Sequence, residues 1–427
     1  MQSKTATISI ESLAYGGDGV GHTGEKVVFV PEGVPGDELE ITITEEKKSF
    51  SRGRIESILN PSPARVTPFC PYADRCGGCQ WQMVGYGDQL EWKGRIVAEQ
   101  LKRISGIDQS LVEPCLASPS DRAFRTVARY PGVTGSQGLS FGYYERRSHK
   151  LVDIDTCPVA VDGINETADI LRRHFESTPT PPDLREITIR SSIDRSSRLI
   201  TIATVDRPDL GFHADALLEA VPDLAGIVHR DSRGSHIRTY GNPYREETIN
   251  GRSFRIEERS FFQINASQAE RLVALAGEML DINPGNTVAD GYGGVGLFSL
   301  SIRPTDAAIH LFDLSRSAIK DAKYNARTLG FNRFKAHVAG PVDSAAAIGK
   351  ADALIIDPPR TGVGKEDITA LMTLDPRVIV YISCNPSTLA RDLNIFSTGG
   401  YTVDRVVPVD MFPHTYHIET AVRLRKT

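Results

Sequence analysis

Residues 378–393 read VIVYISCNPSTLARDL, and this stretch predicts how the C-terminal half of the chain folds. Its first five residues, 378–382, are apolar and mostly β-branched, which predicts a buried strand. Residues 387–393 have helix-forming character. A buried strand that passes directly into a helix is the repeating unit of open α/β sheets. We therefore predict an α/β fold for this part of the protein.

A cysteine lies at the junction between this strand and the helix. Pro386 excludes Asn385 from the helix, so Ser387 or Thr388 is expected to cap it. Cys384 then lies just outside the positive end of the helix dipole, where the pKa of a thiol can be lowered and the sulfur becomes a usable nucleophile. For a single cysteine, the alternative is a small buried hydrophobic residue.

Three motifs in a fixed order carry a family resemblance. They are SCNP at residues 383–386, DPPR at 357–360 and FPHTYHIE at 412–419. Together they closely resemble the RNA 5-methyluridine methyltransferases that use S-adenosylmethionine. The resemblance implies that Cys384 adds to carbon 6 of uracil and that Glu419 removes the proton from carbon 5. The alternative for Glu419 is a surface residue on a strand at 417–424.

Length and composition indicate a soluble protein of several domains. A chain of 427 residues is too long for one ordinary core, and 40% hydrophobic and 24% charged residues are typical of globular proteins. No apolar run has membrane-spanning length and no signal peptide is recognisable, so we expect a cytoplasmic protein with no membrane partner. The net charge of −5 means that local basic patches must hold any nucleic acid.

Residues 1–60 predict a small all-β barrel, because short apolar segments alternate with turns such as GGDG at 16–19 and PGD at 35–37. The segment resembles a TRAM domain, an OB-like barrel that binds RNA. A basic cluster precedes and enters its last predicted strand: Lys47, Lys48, Arg52 and Arg54. An ordinary solvated face is the alternative for this cluster.

Three cysteines with the spacing C-x5-C-x2-C predict a metal centre: Cys70, Cys76 and Cys79. Cys157, followed by proline, is a better fourth ligand than Cys115, which we expect to be a buried structural thiol. Four thiolates suit either zinc or an iron–sulfur cluster, and the spacing alone does not separate them. Members of the resembled family with this pattern carry a four-iron cluster, so the resemblance implies a [4Fe-4S] cluster, with zinc as the alternative metal.

Residues 61–255 are expected to form a central domain that carries the cluster and binds RNA. Residues 86–107 fit an amphipathic helix, which by resemblance packs on the catalytic domain. From about 113 to 257 the sequence is strand-like, with strands expected at 184–193, 199–205 and 226–229. Two basic groups could position phosphates, or could be ordinary solvated charges: Arg122, Arg125 and Arg129; Arg146, Arg147, His149 and Lys150.

Residues 256–427 predict the cofactor-binding half. A helix at 266–280 and a strand at 287–290 lead into the glycine-rich turn GYGGVG at 291–296, and helical character is expected at 297–302. Further elements follow in a class I, Rossmann-like methyltransferase order: a strand at 309–312, a helix at 315–329 and a strand at 353–356. The turn also matches G-x-G-x-x-G, but this continuation disfavours a nicotinamide enzyme.

The resemblance assigns S-adenosylmethionine contacts to Gln263, Tyr292, Asp313 and Asp357. Three positions depart from the family's usual pattern: Gly293 stands where cysteine is common, Asp313 where glutamate is common, and Leu297 where a polar residue is frequent.

The function expected from the resemblance is methylation of uracil carbon 5 in RNA. The N-terminal barrel and the cysteine cluster favour 23S rRNA as the target, and tRNA is the alternative. We expect a monomer. Two other classes of protein are alternatives. A catalytically idle RNA-binding or assembly protein is disfavoured because Cys384 and Glu419 are both retained. An iron–sulfur oxidoreductase is disfavoured because no flavin or nicotinamide signature follows the glycine turn.

Overall fold

A closed five-stranded barrel forms the N-terminal part of the computed structural model, which describes residues 4–135, 138–181, 183–302 and 306–427. Its strands are β1 Thr5–Leu13, β2 Gly19–Thr23, β3 Lys26–Val30, β4 Glu38–Glu46 and β5 Phe50–Asn60, in the order β1-β2-β3-β5-β4. Alternate residues face inward, and six of them fill the barrel: Ile8, Ile10, Val28, Val30, Leu39 and Ile41. At one end of the barrel, Leu13 and Val34 belong to the core of the catalytic domain instead.

Helix α1, Tyr86–Ser105, lies between the barrel and the catalytic domain in sequence but packs on the latter. Its apolar side chains Ile96, Val97 and Leu101 are buried in the same core as the sheet of the catalytic domain. The helix ends at Gly106, which adopts the left-handed conformation that glycine favours (φ 68°). This helix ties the barrel, the cysteine-rich segment and the catalytic domain together.

The central domain is built on a seven-stranded sheet in the order β12-β11-β10-β9-β6-β7-β8. The strands are β6 Val127–Gly135, β7 Gly138–Tyr144, β8 Leu151–Asp153, β9 Leu184–Ser191, β10 Arg198–Thr204, β11 Leu224–Asp231 and β12 His236–Gly241. Two helices, α2 Asp162–Ser177 and α3 Gly211–Ala220, interrupt the stretch that was expected to be strand-like throughout. That expectation was wrong for α2 because its buried residues recur at helical spacing: Ile164, Ala168, Leu171 and Phe175.

A hairpin of β13 Tyr244–Ile249 and β14 Arg252–Glu257 leads into the catalytic domain, a doubly wound sheet in the order β17-β16-β15-β18-β19-β21-β20. Its strands are β15 Thr287–Gly291, β16 Ala308–Asp313, β17 Phe334–Val338, β18 Ala353–Ile356, β19 Val378–Ser383, β20 Tyr401–Val409 and β21 Glu419–Lys426. Its helices are α4 Ala266–Leu280, α5 Arg316–Thr328, α6 Pro341–Ile348, α7 Lys365–Met372 and α8 Pro386–Thr398. The α/β, Rossmann-like prediction is confirmed.

Two features of this sheet position the site. Strands β18 and β19 are buried along their whole length, as expected for parallel strands covered by helices on both faces. The strand order reverses beside β15, which pairs with both β16 and β18, and ligands of open α/β sheets bind at such a switch point. The helix expected at 297–302 is instead a series of turns, because Gly296 takes a positive φ of 88°.

Within the part of the chain that the structure describes, no helix is both long and apolar enough to cross a membrane.

Candidate active site

The cysteine of the SCNP motif ends the most deeply buried stretch of the catalytic sheet. Helix α8 begins at Pro386, and the side chain of Asn385 caps it by accepting a hydrogen bond from the Ser387 N–H at 3.1 Å. The expectation that Ser387 or Thr388 would cap the helix was wrong, because proline suits the first helical position and leaves the preceding residue as the cap. Cys384 is half-buried just before this cap.

The three sequence motifs meet at one edge of the sheet. Strand β21 runs antiparallel to β19 with Ser383 opposite Thr420, which brings the next pair, Cys384 and Glu419, side by side. On the other side of β19, Ile356 of β18 is opposite Tyr381, so that Asp357 follows at the same edge. Residues that are far apart in sequence therefore form one site at the carboxyl ends of the parallel strands.

The Cys384 thiol does not have the lowered pKa expected from the helix dipole. Burial, together with the nearby carboxyl groups of Glu419 and Asp357, raises its pKa to about 11. Arg360 opposes this rise by its charge and by a hydrogen bond to the thiol. Two carboxyl groups and desolvation thus outweigh the helix N-terminus, and Arg360 is the cation that favours the thiolate.

Glu419, which is buried, and Asp357, which is half-buried, form an acidic pair. Burial raises the pKa of Glu419 well above its ordinary value, and the charge of Asp357 adds to the rise, while Arg360 lowers it. Burial also raises the pKa of Asp357 to about 7, together with the charge of Asp290. The Gln263 amide donates a hydrogen bond to Asp357 at 3.3 Å. Such raised values suit groups that hold or move protons near neutral pH.

The expected cofactor contacts surround a cavity at the switch point of the sheet. Gln263, Tyr292 and Asp357 line it, with the glycine turn at their side. Asp313 is not in the lining, but its carboxylate accepts hydrogen bonds from the N–H groups of Gly294 at 3.1 Å and Ser315 at 2.7 Å, which fixes the turn. The chemistry of this site fits a cationic nucleoside, because the Asp357 carboxyl group lines the cavity beside the glycine turn.

Asp290 adds to this negative character, because its Oδ2 atom is buried without a hydrogen-bond partner among the described residues. The packing around Gly293 leaves no room for the cysteine that is common at this position in the family. A Cβ atom there would lie 2.7 Å from the Leu311 side chain and 2.8 Å from that of Asp290. The leucine already fills the space that a side chain at position 293 would need.

The four candidate metal ligands, Cys70, Cys76, Cys79 and Cys157, line one cavity of about 190 Å³. No three Cys, His, Asp or Glu side chains converge on the position of a single ion anywhere in the described ranges. Cys115 lies apart from this cavity, and burial raises its pKa to about 12. Cys157 is the most deeply buried of the six cysteines.

Many of the predicted basic residues are engaged with acidic neighbours. In the barrel, Lys47 pairs with Glu45 at 3.0 Å, Arg54 with Glu56 at 2.8 Å and Arg52 with Asp18 at 2.8 Å. In the central domain, Arg129 pairs with Glu186, Arg147 pairs with Asp18, and Arg146 donates a hydrogen bond to the carbonyl of Cys79. The neighbouring carboxyl groups therefore offset part of the positive charge of these residues.

The sequence reasoning missed residues that support the FPHTYHIE loop. Lys93 of α1 donates a hydrogen bond to Asp410 at 2.6 Å, and both side chains are fully buried. Gln89 accepts a hydrogen bond from the His414 N–H at 2.9 Å. The sequence signal for the contact between Lys93 and Asp410 is a lysine on the apolar face of an amphipathic helix. Tyr15 of the barrel also reaches the site, which no local pattern indicates.

Comparison with known proteins agrees with this arrangement. A model of the TRAM domain matches residues 1–55, and a model of tRNA (uracil-5-)-methyltransferases matches residues 348–427. An uncharacterized RNA methyltransferase from Gloeobacter violaceus is 35% identical over 100% of this chain and 98% of its own length. Another from Halalkalibacterium halodurans is 31% identical over 98% and 96% of the two chains.

A solved structure extends the comparison to three dimensions. The tRNA (uracil-54, C5)-methyltransferase of Pyrococcus abyssi, in complex with S-adenosyl-L-homocysteine, superposes with a TM-score of 0.79. It is 27% identical and covers 98% of this chain and 100% of its own. The chain therefore belongs to the family of S-adenosylmethionine-dependent RNA uracil-5-methyltransferases, with a TRAM domain at its N-terminus.

Proposed function

We propose that the protein methylates carbon 5 of a specific uridine in 23S rRNA through a covalent adduct between Cys384 and carbon 6 of the base. The observation that carries the proposal is the register of β19 and β21, which sets Cys384 beside Glu419 next to the cavity lined by Gln263, Tyr292 and Asp357. We assign S-adenosylmethionine binding to these last three residues and Asp313.

Each proposed residue has a defined chemical task. Uracil carbon 5 is a poor nucleophile, and addition of the Cys384 thiolate to carbon 6 produces an enolate with electron density on carbon 5. S-adenosylmethionine, when bound, supplies the methyl group. Glu419 then removes the remaining proton from carbon 5, and the electron pair left behind expels the thiolate and restores the double bond. Arg360 favours the anionic forms of both Cys384 and Glu419.

A mechanism-based trap tests this proposal. Fluorine at carbon 5 cannot leave as a cation, so RNA containing 5-fluorouridine should form a stable complex with the protein when S-adenosylmethionine is present. The complex should be absent in Cys384→Ala. Glu419→Gln should accumulate an adduct with ordinary RNA, because the carbon 5 proton is no longer removed. Normal turnover by Glu419→Gln would contradict its assignment as the base.

The target RNA has two candidates. The combination of a TRAM barrel with four clustered cysteines supports 23S rRNA. The similarity to the Pyrococcus abyssi enzyme, whose substrate is tRNA uracil-54, supports tRNA as the second candidate. Incubation of the protein with transcripts of both, followed by mapping of 5-methyluridine, distinguishes them. Methylation of tRNA alone would overturn the ribosomal proposal.

We also propose that Cys70, Cys76, Cys79 and Cys157 hold a [4Fe-4S] cluster. Thiolates bind either zinc or iron, and the resemblance to family members that carry a four-iron cluster favours iron. Four cysteines around one cavity of about 190 Å³ suit a four-iron cluster, in which each iron binds one cysteine sulfur. Bound there, the cluster would clamp the loop at residues 70–79 against the central sheet. Anaerobically purified protein should contain about four irons per chain, and stoichiometric zinc without iron would refute the assignment.

We propose three functional units within one monomer: residues 1–60 for RNA binding, 61–255 for the cluster and RNA, and 256–427 for catalysis. Size-exclusion chromatography with light scattering tests the monomeric state.

A further inference from the structure

The turn between β1 and β2 of the barrel enters the active site. The Tyr15 hydroxyl donates a hydrogen bond to the backbone carbonyl of Cys384 at 3.3 Å. Its ring meets the ring of Tyr416 edge to face, with 5.9 Å between centroids and 90° between planes. A side chain of the RNA-binding barrel therefore touches both the nucleophile segment and the loop that leads to Glu419.

This turn is held in place by contacts that fix its backbone. The Trp81 indole N–H donates to the carbonyl of Gly17 at 3.1 Å. Gly17 has a φ of 95°, and a Cβ atom there would lie 3.1 Å from the side chains of both Gln80 and Tyr416. The neighbouring residues Leu13 and Val34 are buried in the core of the catalytic domain. Tyr15 is thus presented to the site by a rigid support.

The surroundings of Tyr15 are those of the reaction centre. Burial raises the pKa of its hydroxyl to about 12, and the charges of Cys384 and Glu419 contribute to the rise, while Arg360 opposes it. The same turn, through Gly16 and Gly17, lines an open groove of about 580 Å³ together with Tyr416 and Arg147.

We propose that Tyr15 is a positioning residue for methyl transfer: it holds the Cys384 carbonyl and, with Tyr416, fixes the sulfur relative to Glu419. The barrel then completes the catalytic site in addition to binding RNA. This inference rests on the proposed covalent role of Cys384. Removal of the hydroxyl lets the segment before the α8 cap rotate, so the sulfur meets carbon 6 less often in the reactive geometry.

The test compares Tyr15→Phe, which removes one hydroxyl and keeps the ring, with the matched change Tyr240→Phe. Tyr240 also donates a 3.3 Å hydrogen bond, to Asp209, but it lies on β12 in the central domain. Two quantities are measured with 5-fluorouridine RNA: the Kd, and the single-turnover rate of adduct formation at saturating RNA. Thermal melting confirms that each variant is folded.

We expect Tyr15→Phe to slow adduct formation about three- to tenfold, the range of one neutral hydrogen bond, with the Kd unchanged within about twofold. Tyr240→Phe should change neither quantity. If Tyr15→Phe forms the adduct at the wild-type rate at saturating RNA, the positioning role is overturned. If the Kd is raised while this rate is unchanged, Tyr15 is an RNA contact only. Absence of any adduct in wild-type protein instead refutes the proposed function itself.

Discussion

Replacing Arg360 by glutamine should make Cys384 a weaker nucleophile without moving its backbone. Arg360 donates a hydrogen bond to the thiol and is the cation that opposes the rise in its pKa. In the protein alone that pKa is about 11. Two pH units below this value, at pH 9, about 1% of Cys384 is thiolate. The thiolate fraction should therefore increase about tenfold for each pH unit between 7 and 10.

The size of the Arg360 effect follows from the contact that is lost. A hydrogen bond from a charged donor is worth roughly 1.5 kcal/mol at the low end of its range, which suits an exposed guanidinium. Since 1.36 kcal/mol corresponds to one pKa unit, Arg360→Gln should raise the thiol pKa by about one. Alkylation at pH 9 should then be about tenfold slower. Glu419→Gln should act in the opposite direction, because it removes a carboxyl group that raises the pKa of the thiol.

Iodoacetamide alkylation followed by mass spectrometry measures these rates at one cysteine. Trypsin cleaves after Arg377 and Arg391, and the peptide between them contains Cys384 as its single cysteine. Arg360→Lys is the matched control, because it keeps the positive charge but not the planar donor group. An alkylation rate that reaches its plateau below pH 9 in wild type, or equal rates in wild type and Arg360→Gln, would refute the electrostatic account.

Three further predictions concern stability and cofactor binding. Asp357→Asn should raise the melting temperature more at pH 8 than at pH 5. The pKa of Asp357 is about 7 in the folded protein and lower in the unfolded chain, so the folded protein loses stability as the pH rises from the unfolded pKa to the folded pKa. An equal gain at both pH values would contradict this. Gly293→Ala should cost about 1–3 kcal/mol in urea unfolding and weaken S-adenosylmethionine binding in calorimetry, through the 2.7 Å approach to Leu311. No loss in this variant would show that the site can relax. Lys93→Met should cost about 3–5 kcal/mol in urea unfolding, since Asp410 is left buried and charged. Adding Asp410→Leu should recover part of the loss, because it also removes the acceptor of the Tyr86 hydroxyl, and equal stability of the single and double variants would argue against a buried charge.

The elements of the catalytic half were predictable because their signals are local. Strand β18 occupies the predicted residues Ala353–Ile356, and α4 the predicted residues Ala266–Leu280, since a fully buried strand and an amphipathic helix each leave a continuous pattern. Helix α2 has the same helical periodicity, but the strand-like segments on both sides of it mask this pattern.

The order of the strands and the electrostatics of the site could not be predicted from local sequence patterns. The insertion of β21 between β19 and β20 depends on pairing between distant segments. The expected lowering of the Cys384 pKa failed for the same reason, because it considered one helix terminus and not the carboxyl groups of Asp357 and Glu419 that other strands bring near. The contact of Tyr15 spans 369 positions of the chain and leaves no trace in any local pattern.

The location of β21 in the interior of the sheet has a consequence during synthesis. In chain order β21 is the last strand of this sheet, so β19 and β20 are synthesised before it, and β21 can pair only after residues 419–426 have left the ribosome. Until then β19 has no partner on one side, and the cysteine has no neighbouring glutamate. The neighbouring positions of Cys384 and Glu419 therefore arise only when β21 is inserted between β19 and β20.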